Sequence, residues 1–385
     1  MQSYRWIFYA VNGLGLGHLT RTMALARQVR SRLPHSQFLF LTTSEAAGLF
    51  WQEGFACVKL PSRMAAQQSG LRYGTYNQLL HTLVVNTIGA FHPHVLVVDT
   101  FPAGSAKELL PVLRWSGKRV FIYREQKQAV CADPWFQQLL PLYDRILIPH
   151  CPGEIDLPVP AQIPVQWTGP MLIRDRQEAL PRTVARQRLQ LLQDKPLLYV
   201  GFGGGGDLRY AKLLHWVLAQ KSHYPQWQFV VAIPPLSQSA AMDPSVTDNL
   251  TEHPTEHLSK YLTEHPTDNN LSTIRYYPLA ECWTAFDGAI SAAGYNSVSE
   301  LLHHGIPTIW VPLDRQADHQ DQRVDRIVNH RAGWRVNPFD TAALHHCLGK
   351  LSDPIHRQTV AYQAQSLAQP NGAAIAAESL VAWLG

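Results

Sequence analysis

SAAGYNSVSELLHHGIPTIWVP, residues 291–312, reads as a loop, a helix and a buried strand in succession. Gly294, Asn296 and Ser297 open the helix, and Glu300 lies one turn inside it. Gly305 and Pro307 end it, and residues 308–311 are a short apolar run. A helix that starts on small polar residues is a ready anion site, because its free N–H groups and the positive end of its dipole point at the ligand. A carboxylate one turn later can accept hydrogen bonds from neutral hydroxyls such as a ribose diol. Phosphate and ribose together make a nucleotide, and the rest of the chain can be searched for parts that serve such a site.

Composition sets the bounds. At 385 residues there is room for two domains of ordinary size. With 46% hydrophobic and 16% charged residues, a packed globular protein is expected rather than disorder. The formal charge of +4 is small for this length, and the concentrated basic stripe that nucleic-acid binding needs is missing. A modest surface patch for anionic lipid is compatible with it. Cys57, Cys131, Cys151, Cys282 and Cys347 are scattered, odd in number and form no CxxC, which argues against a disulfide framework or a structural zinc site. The first residues enter an apolar strand with no charged leader, and no run of about 18 apolar residues follows anywhere. A cytoplasmic protein is expected, with at most a peripheral contact with a membrane.

Taken in order, residues 6–11 (WIFYAV) are a buried strand and 19–32 are helical, with Leu19, Met23, Leu25, Ala26 and Val29 inward. Residues 37–41 and 55–60 are strands around a helical 45–53, which is βαβ logic with right-handed crossovers. Residues 61–77, polar and carrying Arg63, Arg72, Tyr73 and Tyr76, read as a long surface loop. Helical 78–91 leads to the strand 95–99 (VLVVD), a helical 107–114, and strands at 119–123 and 145–148. The proline-rich stretch 151–170 reads as a linker. A second α/β unit follows, with a helix at 182–193, a strand at 196–200, a helix at 208–220 and a strand at 228–233. In 236–272 LTEHPT occurs twice, which marks a low-complexity insertion. Strands at 274–277 and 288–290 lead into the opening stretch. Residues 363–384 read as one final Ala-rich helix.

Several residues carry candidate chemistry. Gly13, Gly15 and Gly17 join the first strand to the first helix. The spacing is neither a Walker A loop nor the dinucleotide fingerprint, and Thr42–Ser44 stand where the latter needs an acid. His18 opens the helix beside the carboxyl edge of the sheet. It is either a general base at a cleft between domains or a helix-entry histidine without chemistry. Asp99 ends its strand at the same edge, where it either orients His18 or caps its own loop. Glu125 is a weaker strand-end acid. Gly203, Gly204 and Gly205 again join strand to helix, with a backbone able to wrap a diphosphate. Gln316, Asp318 and Gln320 offer amide and carboxylate groups to sugar hydroxyls, or form a solvated face. Tyr277 and Pro278 either flank a base or pack in the core. No GxSxG elbow and no HExxH occurs, and no metal site is expected.

These residues resemble those of a GT-B glycosyltransferase of the MurG-like and UDP-glycosyltransferase group. The resemblance covers nearly the whole chain and is carried best by residues 291–323 and 12–21. The family's Gly-x-Asn-Ser/Thr-x-x-Glu segment matches Gly294, Asn296, Ser297 and Glu300, which implies phosphate contacts from Asn296 and Ser297 and a ribose contact from Glu300. Its glycine-rich loop matches residues 203–206, and its donor-sugar loop matches Gln316, Asp318 and Gln320. Its Gly-x-Gly-His with Arg three positions on matches Gly15, Gly17, His18 and Arg21 on the acceptor side. Residues 98–104 (VDTFPAG) are similar to uncharacterised members. Plant-type members carry a histidine two residues before the motif glycine, where Ala292 stands here.

The expectation is therefore an α/β protein of two doubly wound, Rossmann-like domains facing a cleft. Residues 1–168 form the acceptor side, with a helix at about 366–385 crossing back, and 169–365 bind the donor. The implied reaction is transfer of a sugar from a nucleotide-sugar, a UDP-sugar, to an acceptor hydroxyl, with His18 as base, Asp99 orienting it, inversion at the anomeric carbon, and no cofactor or metal. A nucleotide-sugar hydrolase or epimerase on the same fold, and a non-enzymatic nucleotide-sugar-binding protein, are the competing readings.

Overall fold

A computed structural model describes residues 3–11, 16–114, 117–126, 128–203, 210–233, 270–314 and 319–385. The LTEHPT repeats, Gly13, Gly15, Gly204, Gly205, Gln316 and Asp318 lie outside the described residues. The chain divides into two compact units, residues 1–173 with 370–385, and residues 174–369.

The first unit is built on a parallel sheet of β1 (Arg5–Ala10), β2 (Gln37–Thr42), β3 (Ala56–Lys59), β4 (Val95–Asp99), β5 (Lys118–Ile122), β6 (Arg145–Ile148) and β7 (Val165–Trp167), in the order β3-β2-β1-β4-β5-β6-β7. Both faces are covered, so side chains on both sides of a strand are apolar. Along β1, Ile7 and Tyr9 join one core with Leu96, Val98 and Phe121. Trp6 and Phe8 stack on the other face with Phe38 and Phe40. The order reverses at β1, which puts the carboxyl ends of β1 and β4 side by side. In open parallel sheets that switch point is where ligands bind.

The second unit has the parallel order β10-β9-β8-β11-β12-β13, with β8 (Leu197–Gly201), β9 (Gln228–Ala232), β10 (Leu271–Ile274), β11 (Gly288–Ala292), β12 (Thr308–Val311) and β13 (Trp334–Arg335). Here too the order reverses at the first strand, β8, beside β11.

Four readings are corrected by the structure. Residues 61–77 are not a loop: helices Arg63–Gln68 and Tyr73–Phe91 occupy them. Ser62 starts the first by accepting the Ala65 N–H (3.0 Å). Gly70 stops it in a left-handed conformation, with Leu71 N–H returning to Ala66 O (2.9 Å), a Schellman closure. The helix expected at 107–114 shrinks to a 3-10 turn, Val112–Arg114, because the Glu108 carboxylate turns back to the N–H groups of Ser105 and Ala106 and to the Tyr9 hydroxyl. The stretch 151–170 is no linker: Leu157 and Ile163 are core residues, and β7 is an edge strand, where flanking prolines cost no ladder bond.

The fourth correction concerns the final helix, which is two helices, Pro354–Leu367 and Gly372–Leu384. Asn371 caps the second through the Ala373 N–H (3.0 Å) and also bonds both the N–H and the C=O of Leu172 at 3.0 Å. A Cβ on Gly372 would stand 2.3 Å from Gly169 O, so only glycine allows this approach. The helix then buries Ala373, Ala376, Ala377 and Leu380, packs on Gly17–Arg32, and sets Trp383 under the cations of Lys118 (4.4 Å) and Arg145 (4.8 Å). Asn371→Ala removes a cap and strands two buried backbone groups, so we expect a loss of about 2–4 kcal/mol in denaturant unfolding. A change within error would show that Asn371 does not hold the return.

Candidate functional site

Asp99 is the last residue of β4 and has no exposed surface. A buried carboxylate needs a counter-charge and hydrogen-bond donors. The helix Gly17–Arg32, the next helix in the chain after β1, supplies both from one face. His18 Nδ1 lies 2.5 Å from Asp99 Oδ2. Arg21, one turn on, donates from Nε to Oδ1 (3.1 Å) and from Nη2 to Oδ2 (2.9 Å). Burial raises the Asp99 carboxyl, but Arg21 and then His18 outweigh it and hold it well below the usual carboxylate range. Burial also lowers His18; Asp99 pulls it back up, Arg21 and Arg124 push it down, and the net shift is downward. His18 is therefore neutral at pH 7. A carboxylate only accepts, so Nδ1 carries the proton and Nε2 keeps its lone pair. Phe101, half-exposed on the loop after β4, stacks on the imidazole at 5.9 Å.

The structure thus brings His18, Asp99 and Arg21 together, with Gly17 as the first residue of the same helix. The pairing of Arg21 with Asp99 was missed by sequence reasoning, which placed Arg21 in a loop motif. The three-residue spacing to His18 on one helix was the available signal.

In the second unit, β11 runs into the helix Tyr295–His304, which buries Val298, Leu301 and Leu302. Gly294 is its N-cap and contributes no capping side chain, so the first-turn N–H groups face no side-chain acceptor from that position. Asn296 and Ser297 are half-buried on that first turn. Arg323 braces the approach, donating to Ala293 O (2.7 Å) and lying over the Tyr295 ring (5.3 Å). Glu300 sits among aromatic groups. Burial raises its carboxyl to about 7, and the Trp283 indole N–H offsets part of that. Trp283 packs edge-on against Tyr199 of β8 at 4.9 Å. The Tyr199 hydroxyl occupies the space a Cβ at Gly201 would need, at 2.2 Å, and Gly203 turns the chain in a left-handed conformation. Gln320 is buried at the start of the helix Gln320–Asn329, and its Oε1 accepts the Leu313 N–H (2.9 Å), so it ties that helix start to the end of β12. Tyr277–Pro278 is a cis peptide. Among the described residues no helix is long and apolar enough to cross a membrane, and no group of three or more His, Cys, Asp or Glu could hold a metal ion.

Residues 248–377 match the model of the glycosyltransferase family 28 C-terminal domain. A UDP-N-acetylglucosamine–N-acetylmuramyl-(pentapeptide) pyrophosphoryl-undecaprenol N-acetylglucosamine transferase of Rickettsia akari (strain Hartford) is 37% identical over 70 residues, 18% of this chain and 17% of that protein. Its namesake from Rickettsia typhi (strain ATCC VR-144 / Wilmington) is 34% identical over 84 residues, 20% of each chain. The chain therefore spans a fifth or less of these relatives. Solved structures align over the full length: Acinetobacter baumannii MurG (TM-score 0.56, 15% identity, 99% of this chain and 100% of that one), the calicheamicin glycosyltransferase CalG4 (0.61, 18%, 100% and 99%), and TcCGT1 in complex with UDP (0.64, 15%, 100% and 99%). The chain shares the GT-B fold of these glycosyltransferase structures, and its segment 248–377 matches a family 28 C-terminal domain.

Glu300→Gln is expected to change the pH dependence of stability. With a folded pKa near 7 against an ordinary 4.5, Glu300 favours folding below 4.5, and that contribution is lost as pH rises to 7. Chemical unfolding of the ligand-free protein across that window should therefore show a smaller decline for the variant than for the wild type. Equal slopes would mean that the carboxyl is not raised.

Proposed function

We propose that this protein is a glycosyltransferase that moves a sugar from a nucleotide-sugar, a UDP-sugar, to an acceptor hydroxyl with inversion and without a metal. The observation that carries the reading is the neutral His18 held by Asp99 at the switch point of the first sheet. Its Nε2 takes the proton of the acceptor hydroxyl as the oxygen attacks the anomeric carbon, and Asp99 stabilises the imidazolium that forms. The C–O bond to the diphosphate breaks on the opposite face. The first turn from Gly294 through Asn296 and Ser297, with the loop from Gly203 through Gly204 and Gly205, takes up the charge on the leaving diphosphate. Glu300, ionised on binding, accepts from the ribose diol, while Gln316 and Asp318 meet the sugar. The names of the Rickettsia relatives, and the UDP in TcCGT1, support a uridine donor.

His18→Ala should lower turnover by about 10²–10⁴-fold, the usual range for a lost general base, with UDP-sugar binding retained. Incubation with a panel of UDP-sugars and acceptors measures it. Unchanged turnover would remove His18 as base, and stoichiometric free sugar without acceptor would favour a hydrolase.

A peripheral contact with anionic membrane is part of the same proposal. No acidic residue occurs from 54 to 98, and the helix Tyr73–Phe91 carries no charged residue at all. Leu71, Tyr73, Leu79 and Leu83 are exposed there, and Arg63 lies over Tyr73 at 5.5 Å. Apolar side chains flanked by cations suit an anionic lipid surface. The protein should float with phosphatidylglycerol vesicles and not with pure phosphatidylcholine, and Leu79→Glu with Leu83→Glu should abolish flotation. Equal recovery with both lipids, or none with either, would refute the contact.

A further inference from the structure

Two groups compete to neutralise the buried Asp99. Arg21 is permanently charged, whereas His18 becomes a counter-charge only by taking a proton. From this geometry we infer that Arg21 is a positioning residue that keeps His18 neutral, by satisfying the Asp99 carboxylate so that His18 need not be protonated to do so. The inference rests on the proposed role of His18 as base.

The contacts support it. Arg21 reaches Oδ1 through Nε at 3.1 Å and Oδ2 through Nη2 at 2.9 Å, a two-point grip that fixes the carboxylate plane. Oδ2 is also the oxygen that faces His18 Nδ1 at 2.5 Å. One oxygen thus accepts from both donors, and its orientation is set by the guanidinium. A lysine at this position has the charge but not the fork. Both partners are buried, Asp99 fully and Arg21 to 5% exposure, so solvent screens the pair little. The charged groups acting on His18 come from three elements: Arg21 on its own helix, Asp99 at the end of β4, and Arg124 just after β5. Phe101, stacked on the ring from the loop after β4, carries no charge. Burial lowers His18 most, Asp99 pulls it back up, and Arg21 and Arg124 oppose that pull. With Arg21 removed, a fully buried carboxylate faces His18, and protonating His18 becomes the way to neutralise it. The base would then be blocked at neutral pH.

The test reads His18 directly and needs no acceptor. The imidazole carbon-bound proton of His18 is identified by ¹H–¹³C NMR through its loss in His18→Ala, then titrated in wild type and Arg21→Met. The apparent pKa of His18 should rise by about 1–3 units in the variant, the range an adjacent unshared carboxylate imposes. Arg21→Lys, which keeps the charge, should show a smaller rise. An unchanged titration in Arg21→Met would overturn the inference. If Arg21→Met does not fold, Arg21→Gln, which keeps donors and drops the charge, is read the same way. Loss of the base role itself would appear separately, as full turnover in His18→Ala.

Discussion

A carboxylate at the closed end of a parallel strand constrains everything around it. Asp99 has no solvent, and leaving such a charge without partners costs about 3–5 kcal/mol when one is removed. The chain meets this by following the neighbouring strand with a helix that places two donors one turn apart. That requirement sets the register of β4 against β1 and the rotation of the helix Gly17–Arg32 about its axis. The loop after Asp99 is fixed in turn. Thr100 adopts a left-handed conformation, the Gln126 amide donates to Thr100 O (3.1 Å), and the Tyr143 hydroxyl donates to Pro102 O (2.6 Å). Strain in a β-branched residue beside a candidate catalytic acid persists only because so many contacts over-determine it.

The second unit solves a different problem with the same architecture. Its sheet also reverses order at its first strand, and the neighbouring strand β11 also runs into a helix N-terminus. Here the turn is left without a capping side chain. Glu300 is kept in surroundings that favour its proton. The first unit keeps its acid ionised by burying Arg21 beside it; the second keeps its acid where burial favours the proton.

Much of this was legible as pattern. Continuous apolar runs such as WIFYAV and VLVVD mark strands covered on both faces, and the Gly-x-Asn-Ser-x-x-Glu segment lies where strand passes into helix. What escaped were interactions that close over distance or through a single cap. Ser62 and Gly70 make a six-residue helix out of a polar stretch whose composition favours a loop. Glu108 looks like a helical residue, but its carboxylate is drawn to Tyr9, 99 positions away. Asn371 interrupts an Ala-rich run that propensity alone would continue, because its side chain is held by Leu172. Gln320 reads as a surface amide until the fold puts the Leu313 N–H in front of it. Arg21 belongs to the same class: its partner is 78 residues away, and only the meeting of β1 and β4 joins them.

The return of residues 370–385 to the first unit has a consequence for how the chain is made. Synthesis is vectorial, and domains generally fold as they emerge. The first unit cannot do so completely, because the helix that covers Gly17–Arg32 and seats Trp383 is translated only after all of residues 174–369. Until then one side of the helix Gly17–Arg32 has no cover, and the nascent protein carries an unfinished sheet-and-helix layer while the second unit is being built. The second unit, continuous in sequence, can close first. The unit that holds the candidate base is thus begun before the second unit and completed after it, and its assembly waits on the translation of residues 370–385 rather than on the speed of its own folding.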